Sequence, residues 1–449
     1  MKALPLLLLL LALSRAEGSV GAVPDEKPNI ILIHADDLGW GDLSCYGQQK
    51  FKTPHIDRLA AEGTRFTQYY SGSTVCAPSR CALMTGFHMG RAYIRGNAEL
   101  PLRPEDVTVA ERLKEAGYAT SVVGKWGLGL LGNTGHPQKQ GFDECFGYLD
   151  HKHAHRQYTD HLFRNDAKVD VDPKTWSGDL FEKEALDFVE RKKGGPFFLY
   201  LALPNPHAEL WAPAEAVAEF SFEEKPFENK KADEHPSVGY RSQPKPRAAF
   251  AALITRMDRT VGRLMEKLKA LGLDDKTLVL FTSDNGPHKE GGADPAFFKS
   301  SGPLRGMKRD LTEGGIRVPM IARWPGKVPA GRVSDFVWAH WDFPATASAL
   351  AGVAAPDGDG ISVAPTLLGK EQKGHDSLYW EFYERGFDQA VRLGDWKAVV
   401  DDGKLALYDL KADLGETADV ASLHPEVVEK IQAVIKSAHV PSEKWKPKK

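Results

Sequence analysis

The chain has 449 residues, of which 42% are hydrophobic and 27% charged, and a formal net charge of -3. That length suits two domains or one large α/β domain with an appendage, and the apolar fraction supports a packed core rather than a disordered chain. A near-neutral balance with a pI near 6.6 excludes a nucleic-acid partner held by bulk electrostatics, so any anion must be bound locally.

Residues 1–22 read as a secretory signal: Lys2, a leucine-rich run from Leu4 to Leu13, then small residues at Ala16, Gly18 and Ala22. The run is short for a bilayer span, so no stable membrane insertion is expected. The expected location is secreted or periplasmic, or lysosomal in a eukaryotic source. Four cysteines (Cys45, Cys76, Cys81 and Cys145) are too few for a disulfide framework, and one disulfide at most is expected.

Ile30 to Ile33 is a continuous apolar run, the pattern of a strand buried on both faces, and it ends in His34-Ala35-Asp36-Asp37. Pro54 to Glu62 reads as a helix stopped by Gly63. Ser73 to Gly86 reads STVCAPSRCALMTG. Pro78 suits a first helical turn, so a helix is expected just after Cys76. That places Cys76 where free amides favour an anion and Arg80 about one turn along, facing the same space.

Val107 to Ala116 is helical by spacing, and Tyr118 to Val123 is a strand delivering Gly124-Lys125-Trp126. Phe181 to Lys192 and Phe197 to Leu203 repeat that helix-strand unit, ending at Pro206-His207. Residues 208–246, rich in Pro, Glu and Lys, read as a surface excursion. Ala248 to Leu271 is a long amphipathic helix, Thr277 to Phe281 a strand ending at Ser283-Asp284-Asn285-Gly286, Arg317 to Arg323 another strand and Trp341 to Ala351 another helix. This alternation predicts an α/β fold with a large, mostly parallel sheet flanked by helices. From about Glu371 the pattern changes to short alternating segments (377–382, 389–393, 396–400 and 404–410) and a helix at 425–437, a small antiparallel sheet plus helix. The division expected is a catalytic domain over 27–370 and a C-terminal subdomain over 371–449.

Asp36 and Asp37, Lys125, His207, and Asp284 with Asn285 each follow a predicted strand, and open α/β sheets bind ligands at the carboxyl ends of their strands. Each alone could be a turn residue; four strands aimed at one edge point to a site. Its oxygen-only ligands suit a hard cation, Ca²⁺ ahead of Mg²⁺, and a cation explains three converging carboxylates.

The pattern C-x-P-x-R at Cys76 to Arg80 with Thr85-Gly86 resembles the signature of type I sulfatases, of the alkaline phosphatase superfamily. Gly124-Lys125-Trp126, Pro204-Asn205-Pro206-His207, Ser283-Asp284-Asn285-Gly286 and Leu304-Arg305-Gly306-Met307-Lys308 are similar to further family motifs, in the family's order. The resemblance runs from Pro28 to about Leu368 and continues into Leu407-Tyr408-Asp409-Leu410. It implies that a maturation enzyme oxidises Cys76 to formylglycine, whose hydrate attacks sulfur. The S–O bond to the alcohol then breaks, and sulfate is expelled as the aldehyde re-forms. It implies that Asp36, Asp37, Asp284 and Asn285 hold the cation together with the modified Cys76. Arg80 and Lys125 would orient the hydrate, and Lys308 and His207 would hold the sulfate and assist the leaving oxygen.

One position departs from the family pattern: many relatives read G-K-W-H where this chain has Gly127. His151, His153 and His155 lie on a loop from which one could reach in, His153 or His155 being favoured here, against a transition-metal site or a solvated loop. His88 and His288 are further candidates to line the pocket. The substrate expected is a sulfated carbohydrate such as a glycosaminoglycan, with simple aryl sulfates as surrogates; Tyr379, Trp380, Phe382 and Tyr383 could stack on a sugar or pack a core. Two other readings compete: a phosphodiester or phosphonate monoester hydrolase of the same superfold, and an inactive sulfated-glycan-binding homologue.

Overall fold

The computed structural model describes residues 26–235 and 238–447, so the expected signal segment 1–22 lies outside the described residues. In chain order the large sheet takes β1 (Asn29–Asp36), β2 (Thr64–Tyr70), β3 (Ala119–Lys125), β4 (Glu144–Tyr148), β5 (His161–Arg164), β6 (Ala167–Asp170), β7 (Phe197–Pro206), β8 (Thr277–Ser283), β9 (Arg317–Arg323), β10 (Arg332–Ser334) and β11 (Trp338–Ala339). Successive side chains of a strand face opposite ways. Accordingly Ile30 and Leu32 join one apolar cluster with Phe198, Tyr200 and Leu280, whereas Ile31 and Ile33 join another with Leu199, Leu201 and Phe281. Both faces of the central strands are therefore covered, as the continuous apolar runs imply.

The spatial order is β10-β2-β9-β8-β1-β7-β3-β4-β5-β6, with β11 beside β2. The centre, β8-β1-β7-β3-β4, is parallel, but β9 runs against both β8 and β2. This reversal matters for function. An antiparallel strand begins at the edge where its neighbours end, so the loop leading into Arg317 arrives beside the ends of β1, β3, β7 and β8. β2 runs with β8, and its end at Tyr70 delivers the chain to Cys76 at the same edge.

The sequence reading did not find β2, β4 or the β5-β6 hairpin. β2 (TRFTQYY) mixes buried and half-buried positions, and β4 (ECFGY) is five residues long with an internal glycine, so neither carries the long apolar run that marks the central strands. Residues 208–246 are exposed over much of their length, yet they bury Glu209, which pairs with Arg156 and Arg241.

The C-terminal strands β12 (Leu378–Phe382), β13 (Asp388–Leu393), β14 (Trp396–Asp401) and β15 (Lys404–Asp409) form an antiparallel sheet in sequence order. The helix Pro425–Ala438 seats Val427 and Ile431 on Tyr379, Val391, Ala398 and Leu407. Tyr379, Trp380, Phe382 and Tyr383 are at most 5% exposed, so they pack the core and are not available to stack on a sugar. All four cysteines are free thiols, so the disulfide allowed for from the sequence is not formed. Among the described residues no helix is long and apolar enough to cross a membrane.

Candidate active site at the carboxyl edge of the sheet

The helix Cys76–Thr85 begins at Cys76 itself, one residue earlier than expected, with Val75 extended before it, Pro78 in its first turn and Gly86 ending it in the left-handed region. Every residue of this helix is buried, Arg80 included. Burial of a guanidinium requires compensation, and Arg80 finds it in Asp284 Oδ2, 2.8 Å from Nη2, and in the Lys125 carbonyl, 2.7 Å from Nη1. Cys76 Sγ lies 3.4 Å from Asp36 Oδ1 and 4.0 Å from Asp37 Oδ1. Burial pushes the Cys76 thiol well above the usual cysteine range, outweighing the attraction of Lys125, so the unmodified side chain is a thiol and not a thiolate.

β1 ends at Asp36, and Asp37, the next residue, sits at φ 64, in a region that non-glycine residues seldom adopt. Its amide donates to Asp284 Oδ1 at 3.0 Å, and its Oδ1 accepts from Asn285 Nδ2 at 2.6 Å, so the ends of β1 and β8 are tied through the site residues themselves. Burial together with the neighbouring Asp36 and Asp37 pushes Asp284 up to about 7. Asn285 gives both amide hydrogens to acceptors, Asp37 Oδ1 and the Gly286 carbonyl, while its buried Oδ1 has no partner among the described residues. Crowded carboxylates and an orphaned amide oxygen are the arrangement a hard cation satisfies, and these donors fit one. Asp36, Asp37, Cys76 and His207 offer atoms within 4.8 Å of one another.

Two lysines stand on this group. Lys125, at the end of β3, is fully buried with Nζ 2.6 Å from Asp36 Oδ2. Lys308, on the loop before β9, places Nζ 2.8 Å from Asp37 Oδ2, 2.9 Å from His207 Nε2 and 3.0 Å from Glu290 Oε2. Burial alone would lower both lysines, but Asp36 and Asp37 respectively hold them above their ordinary values, so both are cations.

His207 follows β7. Burial and Lys308 keep it well below the usual histidine range. Its Nε2 faces the Lys308 ammonium, a donor, so the ring proton is on Nδ1, which donates to the Ala208 carbonyl. His155 stacks on one side of this ring, centroids 4.5 Å apart, and His288 on the other at 5.4 Å. His288 accepts from the Glu290 amide at Nδ1 and donates from Nε2 to the Pro206 carbonyl.

The remaining histidines divide. His153 turns away from the site: its Nε2 meets Thr159 Oγ1 at 2.8 Å, its ring stacks on His161, and burial pushes it down to about 4. His88 is also outside the group, lying 3.5 Å from Asp359 with its ring against Trp341 and Tyr379 at the junction with the C-terminal sheet. His151, not favoured over its neighbours by sequence, stands over Gly127: a β-carbon there would be 3.8 Å from His151 Cβ and 4.0 Å from Arg80 Cδ. Burial, then Lys125, lower its affinity for a proton. Sequence reasoning also missed Glu290, Arg309 and Tyr240; the available signal was that Glu290 is the first carboxylate after Ser283-Asp284-Asn285-Gly286.

The sulfatase family model matches residues 28–353, and that of the N-sulphoglucosamine sulphohydrolase C-terminal region matches 307–440. The chain is 34% identical over 436 residues to N-acetylgalactosamine-6-sulfatase of Canis lupus familiaris, covering 87% of this chain and 74% of that one. It is 31% identical to N-acetylgalactosamine-6-O-sulfatase of Bacteroides thetaiotaomicron, covering 92% and 93%. The crystal structure of Ps i-CgsB superposes with a TM-score of 0.79 at 31% identity, covering 92% of this chain and 93% of that one. With the motif residues gathered at one sheet edge and these relatives alongside, the chain belongs to the sulfatase family, type I, of the alkaline phosphatase superfamily, and is a sulfuric ester hydrolase.

Proposed function

We propose that this enzyme removes sulfate from a sulfated carbohydrate, using a formylglycine made from Cys76 by a maturation enzyme and a bound Ca²⁺. The observation that carries the reading is the state of Cys76: a buried thiol beside Asp36, poorly suited to act as a thiolate, at the head of a helix and between two lysine cations. The hydrated aldehyde supplies an oxygen nucleophile and the cation neutralises the carboxylates around it. Asp36, Asp37, Asp284 and Asn285 hold the cation; Arg80 fixes Asp284 and, through the Lys125 carbonyl, the end of β3. Lys125 steadies the nucleophile side. Lys308 leaves its contacts with Asp37 and Glu290 to hold the anionic sulfonyl oxygens, and His207 stands beside it on the leaving-oxygen side. His155 and His288 keep the His207 ring in plane.

A sulfated sugar is favoured because the curated relatives named above act on N-acetylgalactosamine 6-sulfate groups by name. The same reading includes a signal at 1–22, a catalytic domain at 27–370, a C-terminal subdomain at 371–449, and export to the cell exterior, periplasm or lysosome. The test is peptide mass spectrometry across Cys76, with sulfate release from an aryl sulfate, on protein from a host that has the maturation enzyme. Conversion to the aldehyde, with release abolished in Cys76→Ala, is the expected result. An unmodified thiol in that host, or an aldehyde that turns over phosphate or phosphonate esters and no sulfate ester, overturns it.

A further inference from the structure

Lys308 is followed by Arg309, which sits at φ 75, a left-handed conformation unfavourable for a residue with a β-carbon. Such outliers persist where the surroundings enforce them and often mark function. Here the Arg309 amide donates to the Thr74 carbonyl, two residues before Cys76. Lys308 and Arg309 thereby both engage Glu290. Lys308 Nζ meets Oε2 at 3.0 Å, and Arg309 Nη1 meets Oε1 at 2.6 Å. On its other side Arg309 Nε donates to Glu384 Oε2 at 3.2 Å, in the segment that follows β12. Tyr240 Oη also reaches Glu290 Oε2, at 3.3 Å.

Unlike Lys125 and Arg80, this set is open to solvent: the side chains of Glu290, Glu384 and Arg309 are 19%, 28% and 31% exposed. Glu290 Oε2 is 3.5 Å from His207 Nε2, so the carboxylate borders the place where the alcohol side of the ester must lie. Although burial opposes it, Lys308 above all, with Arg309, holds Glu290 far below the ordinary glutamate range, so it is an acceptor only. Arg309 is neutralised by two carboxylates and has no charge to spare for a second anion.

We propose that Glu290, set by Arg309 and Glu384, is a specificity-determining residue that accepts a hydrogen bond from a free hydroxyl next to the sulfated carbon of the sugar. It selects a ring carrying one sulfate with a hydroxyl neighbour and rejects a ring in which that neighbour is blocked or is itself sulfated. A methoxy group offers no proton and strands the carboxylate's lone pair, and a second sulfate meets like charge, so both are disfavoured. This inference rests on the sulfatase reading.

The test measures kcat/KM for three hexoside monosulfates that differ only at the neighbouring position: hydroxyl, methoxy and sulfate. The matured enzyme is expected to prefer the hydroxyl compound by about tenfold or more over each of the others, the size of one hydrogen bond to a charged group. In Glu290→Gln both ratios are expected to fall by about tenfold, most of all for the disulfate. A purely structural role through Lys308 would lower all three rates and leave the ratios unchanged, and that result overturns the proposal. Glu384→Gln touches neither Lys308 nor His207 and is expected to reduce the same ratios more weakly; binding of the three sugars to the Cys76→Ala protein by calorimetry supplies a readout free of turnover. Equal ratios in the unsubstituted enzyme that does cleave sulfate esters overturn this inference alone, whereas an aldehyde-bearing enzyme that cleaves no sulfate ester removes both it and the functional reading.

Discussion

Asn285 Nδ2 donates to Asp37 Oδ1 at 2.6 Å, and the amide oxygen of Asn285 is left buried without a partner among the described residues. A buried unsatisfied oxygen costs stability, and here it accompanies three carboxylates that repel one another. Ca²⁺ is therefore expected to stabilise the folded protein. At a free concentration one hundred times its Kd the gain is about 2.7 kcal/mol. Thermal unfolding of chelator-treated protein, with Ca²⁺ or Mg²⁺ added back, checks this. The cation assignment fails if neither ion moves the transition, and Asn285→Ala is expected to weaken the Ca²⁺-induced shift.

His151 covers the position where Gly127 lacks a side chain. His151→Ala is expected to lower kcat on an aryl sulfate by about a hundredfold, the lower range for loss of an acid-base group, with little change in unfolding temperature. Gly127→His is not expected to compensate, because Gly127 sits at φ 78, where a side chain is strained. A His151→Ala enzyme with unaltered kcat would rule the role out.

Lys397 is fully buried on β14, with Nζ 2.9 Å from Glu313 Oε1 and 3.7 Å from Glu416 Oε1. Burial opposes it, but Lys397, Arg317 and Arg392 together hold Glu313 down to about 2. Removing the lysine leaves Glu416 facing Glu313, which keeps the Arg317 ion pair at 3.1 Å, between the C-terminal sheet and the segment that opens β9. Lys397→Met is expected to cost about 3–5 kcal/mol in denaturant unfolding, the range for breaking a buried pair. A loss below about 1 kcal/mol would place the junction's stability in its apolar contacts instead.

His375 Nε2 lies 2.6 Å from Asp342 Oδ1. Burial opposes protonation, but Asp342 prevails and raises the His375 pKa above its ordinary value. A raised folded value means that the pair stabilises the fold fully below the unfolded histidine pKa of about 6.5 and loses that contribution as pH rises through the folded value. Unfolding free energy measured from pH 6 upward is expected to fall more steeply in the unsubstituted protein than in His375→Gln. Parallel slopes would remove His375 as the source.

Much of the site was legible because its residues lie at strand ends. The apolar runs at Ile30–Ile33, Phe197–Leu203 and Thr277–Phe281 fix strands buried on both faces, so Asp36, Asp37, His207, Asp284 and Asn285 follow at one edge whatever the detailed packing. Lys308 follows no such run, and only the reversed direction of β9 explains its arrival there. The choice among His151, His153 and His155 was not legible either. They share one short loop, and each ring turns to different partners that the loop sequence does not specify: Asp150 and His155 for His151, Thr159 and His161 for His153, His207 for His155.

By itself, the sequence determined the layered α/β architecture, the helix carrying Cys76 and Arg80, the ends of four strands and the antiparallel C-terminal sheet, because hydrophobic periodicity and turn chemistry are local properties of the chain. Only the tertiary structure decided which polar groups meet: Glu290 with Lys308 and Arg309, Lys397 with Glu313, His155 and His288 against His207. These pairings are made by side chains from separate elements, and their geometry follows from strand order and direction, which no local pattern encodes.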